Sequence, residues 1–137
     1  MSDTNATRKT KERTLPTPPM NAEAEPFYAA AREGRFLLKR CTDCRKTHWY
    51  PRAVCPHCFS SATEWVPGSG EGVVYSFSPM RRVDPPYTLA YVTLAEGPTM
   101  LTNLVDCDID SLAIGQRVKL VFKPSEDGTP VPCFTPA

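Results

Sequence analysis

The sequence predicts a mainly β protein, in which a short helix and a cysteine-bearing ribbon precede a five-stranded barrel of the OB type. Two observations carry this prediction. Four cysteines occur as two closely matched pairs in the first half of the chain. From residue 64 onward, apolar and polar residues alternate in short segments separated by turn residues, as expected for β-strands. We therefore divide the chain into a disordered tail at residues 1–24, a helix and ribbon at 25–66, and a barrel domain at 67–137.

The two cysteine pairs predict a metal site. Two residues separate Cys41 from Cys44 and Cys55 from Cys58, with ten residues between the pairs. Each pair can hold one side of a tetrahedral ion, and together they complete a Cys₄ site, usually for zinc. Such a site has no open coordination position, so it stabilises structure and does not catalyse. The alternatives are two disulfides, which a reducing compartment disfavours, and a lone redox pair.

Composition limits the class of protein. The chain has 137 residues, 41% of them hydrophobic, which is enough to bury a core in one compact domain or two small ones. No run approaches the roughly 18 apolar residues that span a bilayer. The first twenty residues lack the apolar segment of a secretory signal. Six cysteines without such a signal predict a reducing compartment, and the cytoplasm is the expected location.

The net charge of +1 hides an uneven distribution. Residues 1–60 carry eleven Lys and Arg against six Asp and Glu, a local charge of +5, whereas residues 61–137 carry five against nine, a local charge of −4. Four thiolates and one Zn²⁺ would together add a charge of −2 to the first half. Basic residues around the cysteines therefore offset a dianionic cluster, which weakens their interpretation as a nucleic-acid patch. These residues are Lys39, Arg40, Arg45, Lys46 and Arg52.

A short helix is predicted ahead of the ribbon, at residues 25–34. Pro26 suits the first helical turn, three alanines follow, and Gly34 can end the helix. So short a helix is not stable alone, so its aromatic residues Phe27 and Tyr28 must pack on something. We favour the ribbon or sheet of the same chain over a ligand or partner surface. A strand is predicted at residues 35–41, and the aromatic residues at 48–51 are expected to cover the metal site.

The barrel is predicted from five short segments and one helical turn. The strands are expected at residues 72–79, 89–94, 100–105, 118–123 and 131–134. The helical turn is expected at residues 108–114, between the third and fourth strands. In the first strand, alternation places Val73, Tyr75 and Phe77 on one face. Five antiparallel strands with this insertion fit an OB-type barrel, although a different five-stranded meander has the same count.

Several short motifs follow one another between residues 25 and 136. They are Phe27–Tyr28, the four cysteines, Tyr50-Pro51-Arg52 ahead of Cys55-Pro56, the run at residues 70–77, Pro86-Tyr87 with Ala90, Ile114-Gly115 before Val118, and Pro132 with Phe134. In this order they resemble a family of bacterial and archaeal proteins that join a helix and a rubredoxin-like zinc ribbon to a C-terminal OB-fold. That family was long filed as a domain of unknown function and is now associated with acyl-CoA.

The resemblance implies a small, non-catalytic accessory subunit of a thiolase-like or hydratase-like enzyme. Such subunits dock on the large subunit in a hetero-oligomer and help to hold the coenzyme A part of the substrate. The implied cofactor is structural Zn²⁺, and the implied ligand is a coenzyme A thioester. Two positions depart from the family pattern. Arg45 stands where a glycine is common, which bears on the tight turn of the first cysteine pair, and Tyr50-Pro51 lacks a second proline.

The available side chains agree with a non-catalytic role. Thiolase chemistry needs an activated cysteine and a histidine base, yet His48 and His57 both lie in the ribbon. Outside the metal site only Cys107 and Cys133 remain. Carboxylates beside Cys107 should raise its pKa, and Cys133 is expected to be an apolar filler. The candidate acid/base groups of a hydratase adjoin turns, where charged residues are normally solvated. These groups are Glu64, Glu71, Asp84 and Glu96.

Contacts with coenzyme A and with a partner can also be assigned as expectations. Phosphates call for Arg or Lys, so Arg81 and Arg82 are the candidate phosphate ligands. Tyr75, Phe77 or Tyr91 are the candidates beside the pantetheine arm; the alternative is that these aromatics fill the barrel and the arginines are solvated. The candidate partner contacts are Phe27, Tyr28 and Trp49.

Two other functions remain open. An OB barrel with a zinc ribbon can bind single-stranded nucleic acid through stacked aromatics and a positive groove. The barrel half, however, carries a charge of −4 and clusters only Arg81 and Arg82, which argues against binding driven by phosphates. A third interpretation is a pure assembly module that holds a partner through Phe27, Tyr28, Trp49 and the tail. Retention of coenzyme A by the isolated chain would exclude it.

Overall fold

β-Strands dominate this computed structural model, which describes residues 13–137. The helix α1 spans Glu25–Arg32, and a 3₁₀ turn spans Ile109–Ser111. The ribbon strands are β1 (Leu37–Cys41), β2 (Thr47–His48) and β3 (Thr63–Pro67). The barrel strands are β4 (Glu71–Met80), β5 (Tyr87–Leu94), β6 (Thr99–Leu104), β7 (Arg117–Pro124) and β8 (Pro130–Pro136). Within residues 13–137, no helix is both long and apolar enough to cross a membrane.

The helix α1 is held by its aromatic first turn. Pro26 lies in that turn, and Gly34 adopts a φ of 81° just beyond the C-cap, so the helix stops at Arg32. The Phe27 side chain is completely buried, with its ring centroid 5.0 Å from that of Tyr28 and 5.1 Å from that of Trp49. The favoured packing of the helix on its own ribbon is thereby confirmed.

The ribbon is a three-stranded antiparallel sheet in the order β2-β1-β3. Strand β1 pairs with β3 along its whole length, from Leu37 opposite Pro67 to Cys41 opposite Thr63. Strand β3 is not predicted from the sequence, because its partner β1 lies more than twenty residues earlier and no local turn joins the two. The third strand extends the ribbon up to the barrel.

The second half of the chain forms a closed barrel in the order β4-β5-β6-β8-β7. Strand β6 neighbours β8 in a parallel pairing of Leu104 with Phe134, and the remaining neighbours are antiparallel. A simple meander would place β6 beside β7, so this order excludes it and matches the OB arrangement. The predicted strands and the helical turn before β7 are confirmed, with ends that shift by at most three residues.

Ribbon and barrel share one hydrophobic core. The ring centroid of Phe36, just before β1, lies 6.5 Å from that of Phe122 on β7. A Cβ atom on Gly68 would lie 2.7 Å from the Phe36 ring, so glycine permits this close approach of the two parts. The buried residues of this core are Ala24, Phe27, Tyr28, Phe36, Leu38, Val74, Ala90, Val92, Leu94, Met100, Leu104, Val118 and Phe134.

A β-bulge in β4 changes the predicted faces of that strand. The register with β5 shifts between Val74 and Ser76, which leaves Tyr75 as the extra residue. Before the bulge Val74 is buried and Val73 is exposed, as alternation predicts. After the bulge Ser76 opposes the exposed Tyr91, and Phe77 opposes the buried Ala90. Tyr75 and Phe77 therefore lie on opposite faces, and the prediction that they share one is wrong.

The start of the described chain contacts the barrel at Arg13 and Leu15, so the prediction of a disordered tail does not hold at these positions; residues 1–12 lie outside the described range. Leu15 is buried and forms a parallel bridge with Ser125, and its carbonyl accepts a hydrogen bond of 3.0 Å from the Glu126 backbone. The Arg13 guanidinium lies 3.9 Å from the ring centroid of Tyr87. Arg13 and Leu15 thus attach this part of the chain to the barrel.

Candidate functional site

The four cysteines converge at the tip of the ribbon. Their sulfur atoms all lie within 4.8 Å of one another, with 3.5 Å between Cys41 and Cys58 and 3.7 Å between Cys44 and Cys55. Four sulfurs bound tetrahedrally to one Zn²⁺ at about 2.3 Å would lie about 3.8 Å apart. The geometry and the all-sulfur donor set therefore fit a closed Cys₄ zinc site, and none of the six cysteines forms a disulfide.

Both cysteine turns adopt the conformation that metal ligation needs. The Cys44 backbone N–H points at the Cys41 sulfur over 3.5 Å, and the His57 N–H points at the Cys55 sulfur over 3.4 Å. The residue after each pair has a left-handed backbone, with a φ of 63° at Arg45 and 65° at Phe59. Arg45 thus takes up the conformation for which glycine is usual, and the first turn forms despite this departure from the family pattern.

The surroundings of two of the thiols shift their pKa values in opposite directions. The hydrogen bond from the Cys44 backbone lowers the pKa of Cys41 to about 7. At Cys58 the Ser60 backbone favours the thiolate, but the neighbouring Cys41 thiol and burial outweigh it and raise the pKa to about 12. A metal ion that binds all four as thiolates must displace these protons, so metal affinity falls as pH falls.

Neither histidine belongs to the sulfur cluster. The cluster consists of the four cysteines alone among the described residues. His48 on β2 is 2% exposed, and neither ring nitrogen makes a hydrogen bond of ordinary geometry, although the Arg52 backbone lies close enough to favour the protonated ring. Burial outweighs that contact and lowers the pKa of His48. His48 is therefore a neutral core residue of the ribbon.

Arg81 and Arg82 lie in the β4–β5 loop and are exposed. The Arg81 guanidinium forms an ion pair of 2.9 Å with Asp110 of the 3₁₀ turn. Both partners are more than half exposed, so solvent screens the pair and it holds Arg81 only weakly. The loop thus presents two arginines to solvent at one end of the barrel.

The three aromatic candidates for coenzyme A separate into two groups. Tyr75 is 66% exposed and Tyr91 is 47% exposed, so neither fills the barrel. Phe77 is partly buried and packs against the core, and the bulge described above is the cause. Phe77 is therefore the least accessible of the three and its contact with coenzyme A stays a prediction, whereas Tyr75 and Tyr91 are accessible.

The three residues that were predicted to contact a partner lie within the folded chain. Phe27 and Tyr28 are buried, and Trp49 is partly buried against the same core. Their surfaces are covered by the chain itself because they join α1 to the ribbon. Phe27 and Tyr28 are thus structural residues, and their prediction as direct partner contacts is wrong.

Cys107 and Cys133 lack the surroundings of a nucleophile. Burial raises the pKa of Cys107, and the carboxylates of Asp106 and Asp108 raise it further. Cys133 is completely buried in β8. Both predictions from the sequence are thereby confirmed, and neither residue is activated for attack on a thioester.

Sequence models of two families match consecutive parts of this chain. The ChsH2 rubredoxin-like zinc ribbon domain matches residues 29–64, and the ChsH2 C-terminal OB-fold domain matches residues 65–123. A DUF35 domain-containing scaffold protein of Methanothermobacter thermautotrophicus is 34% identical over 91 residues, which cover 61% of this chain and 68% of that protein. The chain belongs to the ChsH2/DUF35 family.

Other ChsH2/DUF35 relatives carry the names of enzyme components. A probable enoyl-CoA hydratase alpha subunit of Thermomonospora curvata is 32% identical over 98% of this chain, which spans only 44% of that protein. The benzoylsuccinyl-CoA thiolase subunit BbsA of Geobacter metallireducens is 30% identical over 67% of this chain and 66% of that protein. The chain is therefore similar to proteins that are named as subunits of acyl-CoA enzymes, as the sequence motifs led us to expect.

Solved structures support the same fold. A chain of the Ltp2-ChsH2(DUF35) aldolase superposes with a TM-score of 0.76 at 31% identity, covering 88% of this chain and 98% of that one. A DUF35 protein of unknown function from Sulfolobus solfataricus superposes with a TM-score of 0.63 at 16% identity, which supports the fold alone. The helix, the ribbon and the OB barrel are thus common to the ChsH2/DUF35 proteins compared.

Proposed function

We propose that this chain is a non-catalytic accessory subunit of a thiolase-like acyl-CoA enzyme complex. In this proposal it docks on the large subunit and helps to bind the coenzyme A part of the substrate. The observation that carries the proposal is the closed sulfur site, which is the one cluster of metal-ligand type among the described residues. It leaves no position for water or substrate. The subunit and scaffold names of the relatives support the same role.

The absence of an activated nucleophile supports a role without catalysis. A thiolase needs a thiolate within hydrogen-bond reach of a base. In the described part of the chain, the thiols outside the sulfur site have a raised pKa or are completely buried, and His48 is enclosed in the ribbon. Bond-making in the complex therefore falls to the partner.

The β4–β5 loop supports the proposed contact with coenzyme A. Arg81 and Arg82 supply two exposed cations at one end of the barrel, where the 3′-phosphate or the diphosphate would bind. Tyr75 lies six residues earlier, about 20 Å away along the strand direction, so no compact group touches both. An extended pantetheine arm that runs from the loop past Tyr75 or Tyr91 toward the partner accommodates this spacing.

The proposed metal is a structural Zn²⁺ and the proposed location is the cytoplasm. Zinc would join β1 and the two cysteine turns, and α1 and the barrel pack against this ribbon through the shared core. Six cysteines without a disulfide suit a reducing compartment, in which thiolates are kept for metal binding.

Co-expression tests the proposal directly. The chain is co-expressed with the thiolase-like, hydratase-like and aldolase-like proteins of its own organism, and the complexes are separated by size-exclusion chromatography. We expect one of these proteins to co-elute with the chain and the isolated chain to show no thioester turnover. Turnover of acetyl-CoA by the isolated chain, or elution of the chain without any of these proteins, would contradict the proposal.

The coenzyme A contact is tested separately on the assembled complex. Acetyl-CoA is titrated calorimetrically into complexes that carry Arg81→Glu with Arg82→Glu, and the affinity is expected to fall on the order of tenfold or more. Arg35→Glu is a matched control, because Arg35 is also exposed and also forms a local ion pair, with Glu33. Unchanged affinity in the double variant would remove the arginines from the proposal and leave docking standing.

The exposed tyrosines of β4 and β5 also favour one alternative function, the binding of single-stranded nucleic acid. Aromatic side chains on an OB barrel can stack with bases. A labelled oligonucleotide titrated at two salt concentrations separates the proposals, since binding through phosphates weakens steeply with salt. Salt-sensitive binding that is lost in Tyr91→Ala would favour nucleic acid over coenzyme A.

A further inference from the structure

The outward side of strands β4, β5 and β6 carries a group of large apolar side chains that stay exposed among residues 13–137. Val73 is 40% exposed and Leu101 is 55% exposed, and they flank the exposed Tyr75 and Tyr91. We call the outward side of these three strands the outer barrel face. Its centre is Tyr91, which lies directly opposite Leu101 on one side and Ser76, next to Tyr75, on the other.

This face is free of charge across three rows of paired residues. Residues directly opposite each other on neighbouring strands point to the same side of a sheet. The first two rows are Val73–Thr93–Thr99 and Ser76–Tyr91–Leu101. The third row runs from Ser78 through Leu89 to Asn103. No Asp, Glu, Lys or Arg occurs in any row, although 23% of the whole chain is charged.

Charged residues lie at the edges of the face instead. Arg117 on β7 pairs with Val73, and Lys119 pairs with Glu71. At the opposite end, the Arg13 side chain donates a hydrogen bond of 3.3 Å to Asn103. An uncharged centre that contains aromatic residues and is surrounded by charged ones is the composition of a protein–protein interface. A polyanion would need its cations in the centre, so this distribution disfavours nucleic acid as the occupant.

The size of the face points to a partner other than a second copy of this chain. Three strands of about six residues each present on the order of 300 Å². A stable interface buries about 800 Å² on each partner. Two copies joined through this face alone would fall far below that area. A larger protein that covers the face and also contacts the neighbouring loops reaches it.

We propose that the outer barrel face is the surface through which this chain docks on its catalytic partner protein, an inference that rests on the proposed function. Tyr91 and Leu101 form its centre, and the partner supplies an uncharged surface there. Arg81 and Arg82 lie in the loop that follows β4, at the edge of the face. Coenzyme A that is held at this loop would thus lie at the junction of the two proteins.

The test uses the complex obtained by co-expression, with two independent readouts. In the first, Leu101→Lys places one charge at the centre of the face. Its affinity for the co-purified partner, measured by surface plasmon resonance, is expected to fall on the order of tenfold or more, as for central interface residues. Met20→Lys is the matched control, since Met20 is 45% exposed but lies in the segment before α1. That variant is expected to bind like the wild type.

In the second readout, exposed tyrosines are acetylated with N-acetylimidazole and counted by mass spectrometry. Tyr75 and Tyr91 are expected to react in the free chain and to be protected in the complex. The buried Tyr28 serves as an internal control, because it should react in neither. This readout uses the wild-type chain and therefore does not depend on the folding of a variant.

Each outcome decides the matter. Protection of both tyrosines together with the selective loss in Leu101→Lys supports the inference. A complex in which Tyr75 and Tyr91 react as in the free chain overturns it and leaves the proposed function intact. A homodimer in sedimentation velocity that Leu101→Lys dissociates assigns the face to a second copy and overturns it too. If no catalytic protein co-purifies at all, the proposed function fails and the inference fails with it.

Discussion

Replacing Phe27 with alanine tests whether this residue is structural, as its burial indicates. The side chain is 0% exposed, and its ring centroid lies 5.0–6.1 Å from those of Tyr28, Trp49 and Phe36. A fully buried Phe→Ala replacement costs about 3–5 kcal/mol through lost transfer energy and the cavity left behind. Three ring contacts, each contributing about 0.5–1.5 kcal/mol beyond area, place the expected loss in the upper part of that range.

The assay is urea denaturation of the zinc-loaded chain, followed by far-ultraviolet circular dichroism and analysed by linear extrapolation. Tyr75→Ala is the control, because its side chain is mostly in solvent and should change the free energy of unfolding by no more than about 0.5 kcal/mol. A decrease of less than about 1 kcal/mol in the free energy of unfolding of Phe27→Ala would refute the reasoning, because the loss of a fully buried aromatic side chain should cost more.

Three further predictions concern the metal site, the barrel and the buried histidine. Cys41→Ser is expected to lose stoichiometric zinc in plasma mass spectrometry, whereas Cys107→Ser, outside the sulfur cluster, should retain it; equal zinc in both would contradict the assignment. Gly72→Ala should destabilise the barrel by about 1–3 kcal/mol in the urea assay, because its Cβ would lie 2.5 Å from Val92 Cγ1 and 3.1 Å from a backbone oxygen. Burial lowers the pKa of His48 below 6.5, so the unfolded state binds the extra proton first and the wild type should lose stability as pH falls below 6.5. His48→Leu should lose less over the same range, and parallel pH profiles of the two proteins would argue against a buried neutral ring.

The sequence was sufficient for features that depend on local spacing. Two cysteine pairs separated by ten residues predicted the sulfur cluster directly, since a short hairpin brings such pairs together. Period-two alternation likewise located all five barrel strands. The alternation is also observed in β5, where Ala90 is buried and its neighbour Tyr91 is exposed.

Features that depend on contacts between distant residues could not be predicted from the sequence. The bulge at Tyr75 turns Phe77 inward, and no pattern of alternation reveals an unpaired residue. Leu15 finds its partner Ser125 more than one hundred residues away, so a single leucine in a polar, proline-rich segment gave no signal. The exposure of Leu101 was not predicted. An apolar residue in a strand has the same local sequence pattern whether its side chain points into the core or into solvent.

The pairing of β1 with β3 bears on how this protein can be divided for experiments. The two family matches meet between residues 64 and 65, which lie inside β3 (Thr63–Pro67), and a cut there would split a paired strand. A barrel expressed alone would expose Phe122 where the Phe36 ring now rests. A chimaera that joins the ribbon of one relative to the barrel of another should therefore fold only under two conditions. The junction must lie after Pro67, and aromatic residues must stand at both positions of the Phe36–Phe122 pair.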